Sequence, residues 1–345
     1  MQEQLSRVNK TAWETKAYQA WVHEFGTPNQ NAEELKQNHT HHLRYWLKYI
    51  GDPAGKRVLN LLGSHGRKAI SLALMGADVT VVDISEENRA YATQVAEAAG
   101  VQLNYICSDA LDIPDEDTLG HFDIVLMEFG ILHYFTDLNA VFSVVNRRLD
   151  TNGRYLLTDF HPFAKAWKVT GLLKHPTGNY FDDGIHEGPV AFAHLLPEKE
   201  RPGLHPTATR NWTIGDIITS VASQGLFTRT FEEIRNADDP TFPEFYTLVA
   251  DKIDEQLSPY AEQLMFIFLQ RRHRDWDRNH STKNTSPKYN DKYLVVFDLK
   301  YNLITRLNSL LLQDTKRLNR PMKDVLVRQK TGLRSLHKAD SILTF

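Results

Sequence analysis

The sequence predicts an α/β fold in which a mostly parallel, doubly wound, Rossmann-like sheet is flanked by helices. From Lys56 onward, short apolar runs alternate with helix-length windows, as βαβ units require. The apolar runs are nearly continuous, which is typical of strands covered on both faces. The last two strand-like runs are joined by a link too short for a parallel crossover, so we expect a C-terminal antiparallel hairpin.

Helices are expected before the sheet begins. Up to about Ile50, aromatic residues recur at three- and four-residue spacing in AWETKAYQAWVHEF and HHLRYWLKYI, a spacing typical of helices. The segment Gly51–Gly55 contains both Gly and Pro, which interrupt a helical pattern. We therefore expect an N-terminal helical part, residues 1–55, that serves as a lid on the domain that follows.

The sheet region then contains five strand candidates separated by helical windows. The candidates are Arg57–Leu62, Asp78–Asp83, Leu103–Asp109, Phe122–Glu128 and Gly153–Phe160. The intervening helical windows are RKAISLALMG, SEENRAYATQVAEAAG, a short segment near Pro114–Leu119, and DLNAVFSVVNRRLD. Elements of this length and order predict parallel strands joined by right-handed crossovers.

After Phe160 the alternation stops, and we expect a long irregular stretch of about fifty residues. Its polar residues are candidates for a substrate lid: His175, Tyr180, Asp182, Asp183, His186 and Glu187. Their spacing matches no zinc pattern, so no metal site is predicted. A helix capped by Thr213 and ended by Gly225 follows, and then the two strands of the expected hairpin, Thr228–Ile234 and Glu244–Ala250.

Composition bounds the class of protein. The chain has 345 residues, of which 41% are hydrophobic and 24% charged, as in a globular protein. The single cysteine, Cys107, excludes an intramolecular disulfide and favours the cytoplasm. No apolar run approaches the roughly 18 residues of a membrane span, and no signal peptide is indicated. We expect one domain over residues 1–253 and a basic extension of unassigned fold over 254–345.

The net charge of −3 is unevenly distributed. It is about +7 from Asp254 onward and about −10 before it. The acidic charge of residues 1–253 argues against a nucleic-acid ligand held there by its phosphates. The basic extension leaves open a contact with RNA or with an acidic partner.

Acidic residues close four of the predicted strands: Asp83, Asp109, Glu128 and Asp159. Ligands of open parallel sheets bind beyond the carboxyl ends of the strands, so these side chains should share one crevice. Asp83 lies about seventeen residues after Gly66, near the spacing expected of a carboxylate that binds ribose hydroxyls. Asp109, followed by the small Ala110, suits a contact with the exocyclic amine of adenine.

The loop after the first strand, Gly63-Ser64-His65-Gly66, has only two glycines. They allow a ligand to approach main-chain amides at the start of the next helix. The dinucleotide fingerprint G-x-G-x-x-G is absent, because Leu62 stands where its first glycine would be, and the phosphate loop G-x-x-x-x-G-K-[ST] is absent as well. A ligand without a pyrophosphate fits this loop better, and a nicotinamide-dependent oxidoreductase is disfavoured.

Taken in order, these segments resemble the class I S-adenosylmethionine-dependent methyltransferases, including a bacterial subgroup with a G-S-x-G-R-K loop. The resemblance rests on VLNLLGSHGRKA, VTVVDIS, YICSDAL, VLMEFGILHYF and YLLTDFHPF. It implies S-adenosylmethionine as cofactor. The cofactor-binding residues implied are Asn60, Gly63, Ser64, Gly66, Asp83, Ile84, Asp109, Ala110 and Glu128. Asn60 departs from the family's usual acidic residue and cannot pair with the cofactor's ammonium group, and Leu62 and Ser64 replace usual glycines.

The implied reaction is an in-line methyl transfer to an unidentified, small-molecule acceptor. Positioning comes first, and a base is needed only when the acceptor carries a proton at neutral pH. The candidate catalytic residues are His133, His161 and Asp159, with the histidines favoured because imidazole titrates near neutrality. His133 can equally be a histidine that packs within its helical turn.

Two alternatives stay open at this point. Trp13, Tyr18 and Trp21 favour packing over a cage for the sulfonium cation. The whole protein can instead be a non-catalytic S-adenosylmethionine-binding protein whose basic extension contacts RNA or an acidic partner. The sequence leaves the acceptor, the atom methylated and the oligomeric state open.

Overall fold

The computed structural model describes residues 1–113, 119–170, 173–176 and 178–252, without the side chains of 165–170 and 173–176. The basic extension predicted over 254–345 lies outside the described residues, as does nearly all of the predicted segment 114–119. The side chain of His175, one of the predicted lid residues, lies outside them as well.

Seven strands form one sheet in the order β10-β11-β5-β4-β1-β2-β3. Their bounds are Arg57–Leu61 (β1), Asp78–Asp83 (β2), Asn104–Cys107 (β3), Phe122–Glu128 (β4), Leu149–Phe160 (β5), Leu226–Arg235 (β10) and Pro243–Lys252 (β11). The pairs among β1 to β5 are parallel, whereas β11 pairs antiparallel with both β5 and β10. The predicted α/β class, the parallel sheet and its antiparallel C-terminal hairpin are confirmed.

Helices cover the sheet and precede it. Their bounds are Gln2–Trp13 (α1), Ala17–Phe25 (α2), Pro28–His42 (α3), Leu47–Ile50 (α4), Arg67–Leu74 (α5), Glu86–Ala99 (α6), Leu138–Arg148 (α7), Pro162–Ala166 (α8) and Ile214–Ser223 (α9). The predicted cap Thr213 begins α9, where its side chain accepts from the Asp216 amide in a capping box. Within the described ranges, no helix is long and apolar enough to cross a bilayer.

Apolar side chains fill both faces of the sheet, which explains why its strands read as continuous apolar runs. Along β1, Leu59 and Leu61 pack with Phe142 of α7 on one face. Val58 points to the other face, where it packs with Leu72 of α5. All five of these residues are at most 1% exposed. Apolar packing therefore covers both faces of the sheet. The polar residues at the strand ends lie at the edge where ligands of such sheets bind.

The stretch after Phe160 is more regular than the sequence predicts. It contains two antiparallel hairpins, formed by Trp167–Thr170 (β6) with Leu173–Pro176 (β7) and by Ile185–Pro189 (β8) with Pro206–Arg210 (β9). Short 3-10 turns cover Ala191–Leu195 and Glu198–Glu200 between β8 and β9. The prediction of an irregular stretch was wrong because β8 carries Gly, Pro and exposed polar residues and so lacks apolar alternation.

Strand β5 also begins earlier than predicted, at Leu149 rather than Gly153. A Cβ atom at Gly153 would lie 2.8 Å from the Asp150 carbonyl oxygen and 3.0 Å from that of Phe122. The glycine therefore marks a close backbone approach inside the strand, next to a register shift between β4 and β5. The sequence pattern shows this glycine as a boundary because a strand-internal glycine and a turn glycine look alike.

Candidate functional site

A cavity of about 390 Å³ lies beyond the carboxyl ends of the parallel strands, within the range of small-molecule sites. Residues at or just after the ends of β1, β2, β3 and β4 contribute to its wall, as the strand-end pattern predicts. The fourth acidic residue of that pattern, Asp159 at the end of β5, does not line this cavity but a smaller one beside it. The predicted cofactor residues that line it are Gly63, Ser64, Asp83, Ile84, Asp109, Ala110 and Glu128. Asn60 and Gly66 are not among the lining residues.

The loop between β1 and α5 keeps a glycine-type backbone even where glycine is missing. Leu62 and Ser64 both have positive φ, +52° and +47°, which is uncommon for residues with a Cβ atom. At Gly63 a Cβ would lie 2.7 Å from both Asn60 Oδ1 and Val81 Cγ1. Gly66 has φ +73°, and a Cβ there would lie 2.9 Å from the Cβ of Ala92. Glycine therefore occurs at the two loop positions, 63 and 66, where a Cβ atom would clash with a neighbouring side chain.

The carboxylate of Asp83 is held by the loop and by the helix after β2. It accepts from the amides of Ser64 and Ser85 and from Asn88 Nδ2, each at 3.0 Å. Burial raises its pKa, and these hydrogen bonds partly offset that rise. A carboxylate has about four acceptor positions, so Asp83 can accept one more hydrogen bond from a ligand in the cavity that it lines.

Asn60 lies beneath the loop. It is fully buried, and its Nδ2 reaches the Leu126 carbonyl oxygen at 3.5 Å, a long separation for a hydrogen bond. Its Oδ1 has no hydrogen-bond partner among the described residues. Asn60, which the resemblance places among the cofactor-binding residues, is therefore buried and does not line the cavity.

Glu128, at the end of β4, contrasts with Asn60. It is partly buried, lines the cavity, and its carboxylate has no hydrogen-bond partner in the described part of the chain. Burial raises its pKa to about 7, against which the charge of Lys68 lowers it. Near neutral pH this carboxyl group therefore responds strongly to any cation that enters the cavity.

Asp109 and Ala110 lie just after β3, where the next turn begins. One carboxylate oxygen of Asp109, Oδ1, accepts from the Leu111 amide at 2.9 Å, which fixes the side chain while Oδ2 stays available. Ala110 is buried, and its side chain is small. Both residues line the cavity, as predicted.

The N-terminal helices supply a wall that the predicted site residues do not include. Ser6, Asn9 and Trp13 of α1 and Trp21 of α2 all line the cavity. Trp13 stacks on Trp21 with ring centroids 6.3 Å apart, and it meets Phe192 edge-on at 5.3 Å. Trp13 and Trp21 pack against neighbouring aromatic rings, as predicted, and they also form part of the cavity wall. Their helical spacing signalled the packing, whereas no sequence signal marked Phe192.

His65, in the loop itself, was also missed. Its ring lies 4.7 Å from that of Trp21 and 4.9 Å from that of Phe25. Burial, and secondarily the charges of Arg67 and Lys68, lowers the pKa of His65 to about 3. The imidazole is therefore neutral at physiological pH and acts as a flat, uncharged part of the cavity wall.

Asp159 lies just behind the turn that carries His133. Its carboxylate accepts from the amides of Gly130 at 2.5 Å, Phe160 at 2.7 Å and Leu132 at 3.4 Å, and the residue is only 5% exposed. These bonds hold the 3-10 turn Leu132–Tyr134 in place. His133 itself is partly buried and lines the cavity.

His161 is placed differently. It is 5% exposed, and its Nδ1 accepts from the Phe163 amide at 3.1 Å. Its Nε2 lies 3.1 Å from Glu233 Oε1 of β10. Burial lowers its pKa, and Glu233 opposes that shift. His161 lines neither the cavity described above nor the one described next, so of the two candidate histidines only His133 lines a cavity.

A second cavity, of about 160 Å³, adjoins the first and shares His133 and Phe160 with it. Tyr180, Asp182 and His186, three of the predicted lid residues, contribute to its wall. The rest of the wall comes mainly from the strand-five end, β9, α9 and β11: Leu132, Asp159, Pro162, Gly178, Asn179, Arg210, Asn211, Trp212, Ile217 and Tyr246. The sequence indicated the lid residues but not their partners from β9 and β11.

Comparison with known families gives one domain match. Residues 58–153 match a family model described as a methyltransferase domain. The matched range begins in β1 and ends inside β5, so it contains the loop, Asp83, Asp109, Glu128 and His133.

Two curated relatives are similar over part of the chain. A demethylmenaquinone methyltransferase of Thermus thermophilus is 33% identical over 117 residues, which are 33% of this chain and 52% of the relative. A ubiquinone biosynthesis O-methyltransferase of Xanthomonas axonopodis is 31% identical over 147 residues, covering 39% of this chain and 61% of the relative. The chain thus spans between half and two thirds of the length of these relatives.

Two methyltransferases are among the solved structures that are similar to this chain. An S-adenosylmethionine-dependent methyltransferase of Mesorhizobium loti has a TM-score of 0.46 and 22% identity over 61% of this chain and 96% of its own. A magnesium protoporphyrin IX methyltransferase of Synechocystis with bound SAH has a TM-score of 0.47 and 18% identity, covering 72% of this chain and 99% of its own.

Proposed function

We propose that this protein transfers a methyl group from S-adenosylmethionine to a small-molecule acceptor. The observation that carries the proposal is the 390 Å³ cavity, where Asp83, Asp109 and Glu128 from three successive strand ends face one space beside a glycine loop. The match of residues 58–153 to a methyltransferase domain model supports it.

The residues present fit this cofactor. Asp83, with one acceptor position left, binds the ribose hydroxyls, and Ile84 packs beside the sugar. Asp109 accepts from the exocyclic amine of adenine, next to the small Ala110. The flat wall formed by Trp13 and Trp21 covers the cavity from the N-terminal side, as a lid does.

Glu128 takes the position of a partner for the cofactor's ammonium group. Asn60, at the position where the family usually has an acid, is neutral and fully buried. Glu128 lies in the wall and lacks any other hydrogen-bond partner in the described residues. An ammonium cation beside it would favour the charged carboxylate and lower its pKa below 7. Glu128 of β4 thus supplies the negative charge that Asn60 lacks.

S-adenosylmethionine supplies, when bound, an electrophilic methyl group on a sulfonium centre. The chain's contribution is to align the acceptor and to exclude water, because an in-line displacement depends mainly on proximity. His133 lies at the junction of the two cavities and accepts a proton from the acceptor when it carries one. Asp159 positions the turn that carries His133.

The acceptor is proposed to react at oxygen. The support for oxygen is that one relative is an O-methyltransferase of ubiquinone biosynthesis. Small-molecule acceptors fit cavities of about 390 and 160 Å³ better than a polymer, because sites of this size surround most of a small ligand.

Calorimetry with the purified full chain tests the proposal. We expect micromolar binding of S-adenosylmethionine and a loss of affinity of at least about tenfold in Asp83→Ala, because charge-assisted hydrogen bonds to the ribose are removed. The matched control is Asp78→Ala, at the exposed first residue of the same strand. It should bind as the unchanged protein does. Absence of binding to the intact protein would overturn the proposal, and so would equal binding by both variants.

A further inference from the structure

We propose that the second cavity binds a single aromatic ring that carries a hydroxyl group, and that the oxygen of this hydroxyl is the atom methylated. The inference rests on the proposed function and names the class of acceptor. Its support lies in the size of the cavity, the residue types in its wall, and its junction with the first cavity.

The size of the second cavity suits one ring. Its volume is about 160 Å³, and a protein cavity of about 150 Å³ holds a benzene molecule. A fused two-ring system would have to extend beyond this space, toward the first cavity or the exposed edge. The cavity is therefore matched to a monocyclic acceptor.

Four aromatic side chains stand in its wall: Phe160, Tyr180, Trp212 and Tyr246. Aromatic rings prefer edge-to-face or offset contact with another ring, which adds to the gain from burial. The indole of Trp212 is fixed by a hydrogen bond from its Nε1 to the Leu132 carbonyl oxygen at 3.0 Å, and the guanidinium of Arg210 lies 3.8 Å from its ring centroid. A preformed, rigid aromatic wall of this kind selects a flat, aromatic ligand.

The wall also holds an unsatisfied polar group. The Tyr246 hydroxyl is buried and has no hydrogen-bond partner in the parts of the chain that are described. Burial raises the pKa of Tyr246 well above its usual value, so the hydroxyl stays protonated and is a donor. An unpaired buried hydroxyl is costly, and a ligand oxygen would offset that cost.

A second polar edge lies on the more exposed side of the cavity. Asp182 Oδ2 and His186 Nε2 are 3.0 Å apart, and both side chains are largely exposed. Together with Tyr246 they favour a ring that carries more than one polar substituent. Catechol, with two adjacent hydroxyls on one ring, is a suitable probe.

The junction of the two cavities defines where transfer occurs. His133 and Phe160 line both cavities, so an acceptor oxygen next to His133 faces the cofactor space. In the transfer a C–O bond to the ring oxygen forms as the C–S bond of the sulfonium breaks, and the phenolic proton passes to the His133 imidazole. A phenol needs such a base because it is protonated at neutral pH.

Three probes test the class of acceptor on the full chain with labelled S-adenosylmethionine. Catechol should be methylated. Cis-cyclohexane-1,2-diol, which has the same hydroxyls without an aromatic ring, should react at least about a hundredfold more slowly. The two-ring 2,3-dihydroxynaphthalene should react at least about tenfold more slowly. Calorimetry of catechol with the cofactor-free protein gives a readout that is independent of turnover.

A matched pair of variants tests the site. Tyr246→Phe removes only the unpaired hydroxyl, and we expect a drop of about tenfold in kcat/KM for catechol with the Kd for S-adenosylmethionine unchanged. Tyr155→Phe is the control: Tyr155 is equally buried, its hydroxyl donates to Met127 Sδ at 3.1 Å, and it lines neither cavity. It should keep the unchanged kcat/KM.

The outcomes separate the two proposals. Cofactor binding with no catechol binding and no methylated catechol overturns the acceptor class alone. Equal effects of Tyr246→Phe and Tyr155→Phe overturn the site. Failure of the intact protein to bind S-adenosylmethionine overturns the proposed function, and with it this inference.

Discussion

At the scale of single residues, Asn60 and Glu128 have opposite surroundings although they belong to adjacent strands. Asn60 is fully buried under Gly63, where a charged carboxylate would lose its hydration without gaining a partner. Glu128 opens into the cavity. The neutral side chain at the first position and the acidic one at the second are thus each suited to their degree of burial.

Glu128 makes the stability of the protein depend on pH. Burial raises its pKa from 4.5 to about 7, so the folded state binds this proton more tightly than the unfolded state. Stability from this group is therefore complete below about pH 4.5 and is lost as pH rises through 7. In Glu128→Gln the loss should vanish, so the variant should gain roughly 1 to 3 kcal/mol relative to the unchanged protein above pH 7.

Urea denaturation of the cofactor-free protein at pH 5 and pH 8 measures this effect. Glu97→Gln, at an exposed position of α6, is the control and should leave the pH dependence unchanged. If Glu128→Gln and the unchanged protein lose stability in parallel between the two pH values, the elevated pKa is refuted.

At the scale of elements, the start of α5 is held by contacts on two sides. Arg67 donates to Glu34 Oε2 of α3 at 2.6 Å, and Lys68 donates to the His42 carbonyl oxygen at 2.6 Å. The basic pair of the G-S-x-G-R-K loop therefore ties α5 to α3. Neither basic residue lines the first cavity, whereas Gly63, Ser64 and Asp83 do.

Gly66 begins α5 and allows a quantitative comparison with Gly100, which ends α6. Both have positive φ, +73° and +77°, so an alanine is strained at either site by about 1 to 2 kcal/mol. Only at Gly66 would the new methyl group meet a neighbour, the Ala92 Cβ at 2.9 Å, whereas nothing lies within 4 Å at Gly100. We expect Gly66→Ala to destabilise the protein by at least about 1 kcal/mol more than Gly100→Ala.

Thermal or urea unfolding of the two glycine variants measures the difference, and calorimetry should show weaker cofactor binding for Gly66→Ala only. Equal destabilisation by the two substitutions would mean that the close packing of α5 on α6 contributes nothing.

At the scale of the whole molecule, the wall of the first cavity joins segments that are far apart in the chain. Asn9 of α1 pairs with the backbone of Ala208 in β9: its Nδ2 donates to the carbonyl oxygen at 3.0 Å, and its Oδ1 accepts from the amide at 2.8 Å. Gln2 likewise accepts from the Thr136 amide at 2.7 Å. The N-terminal helix is thereby fastened to the hairpin inserted after β5.

Replacing Asn9 with alanine leaves both backbone groups of Ala208 without their partner. We expect Asn9→Ala to lower the free energy of unfolding by about 2 kcal/mol, and to weaken S-adenosylmethionine binding because Asn9 also lines the cavity. Urea denaturation and calorimetry measure the two effects. The control is Asn29→Ala, at an exposed position of α3, which should change neither. Unchanged stability of Asn9→Ala would show that the fastening is dispensable.

Sequence alone was sufficient for the sheet and for much of the candidate cofactor wall. Strand ends are local features, because an apolar run followed by Asp83 or Glu128 predicts both the strand and the side chain that closes it. Parallel strands bring such ends together whatever lies between them. That is why Asp83, Asp109 and Glu128 could be assigned to one crevice before any coordinates.

Only the tertiary structure decided which of the remaining residues reach that crevice. His133 and His161 look alike in the sequence, yet one lines both cavities and the other lies against Glu233. Tyr246 and Phe192 carry no local signal at all. Their positions depend on the pairing of β11 with β5 and on the folding of the inserted stretch over α1, contacts between segments distant in sequence that periodicity and spacing do not encode.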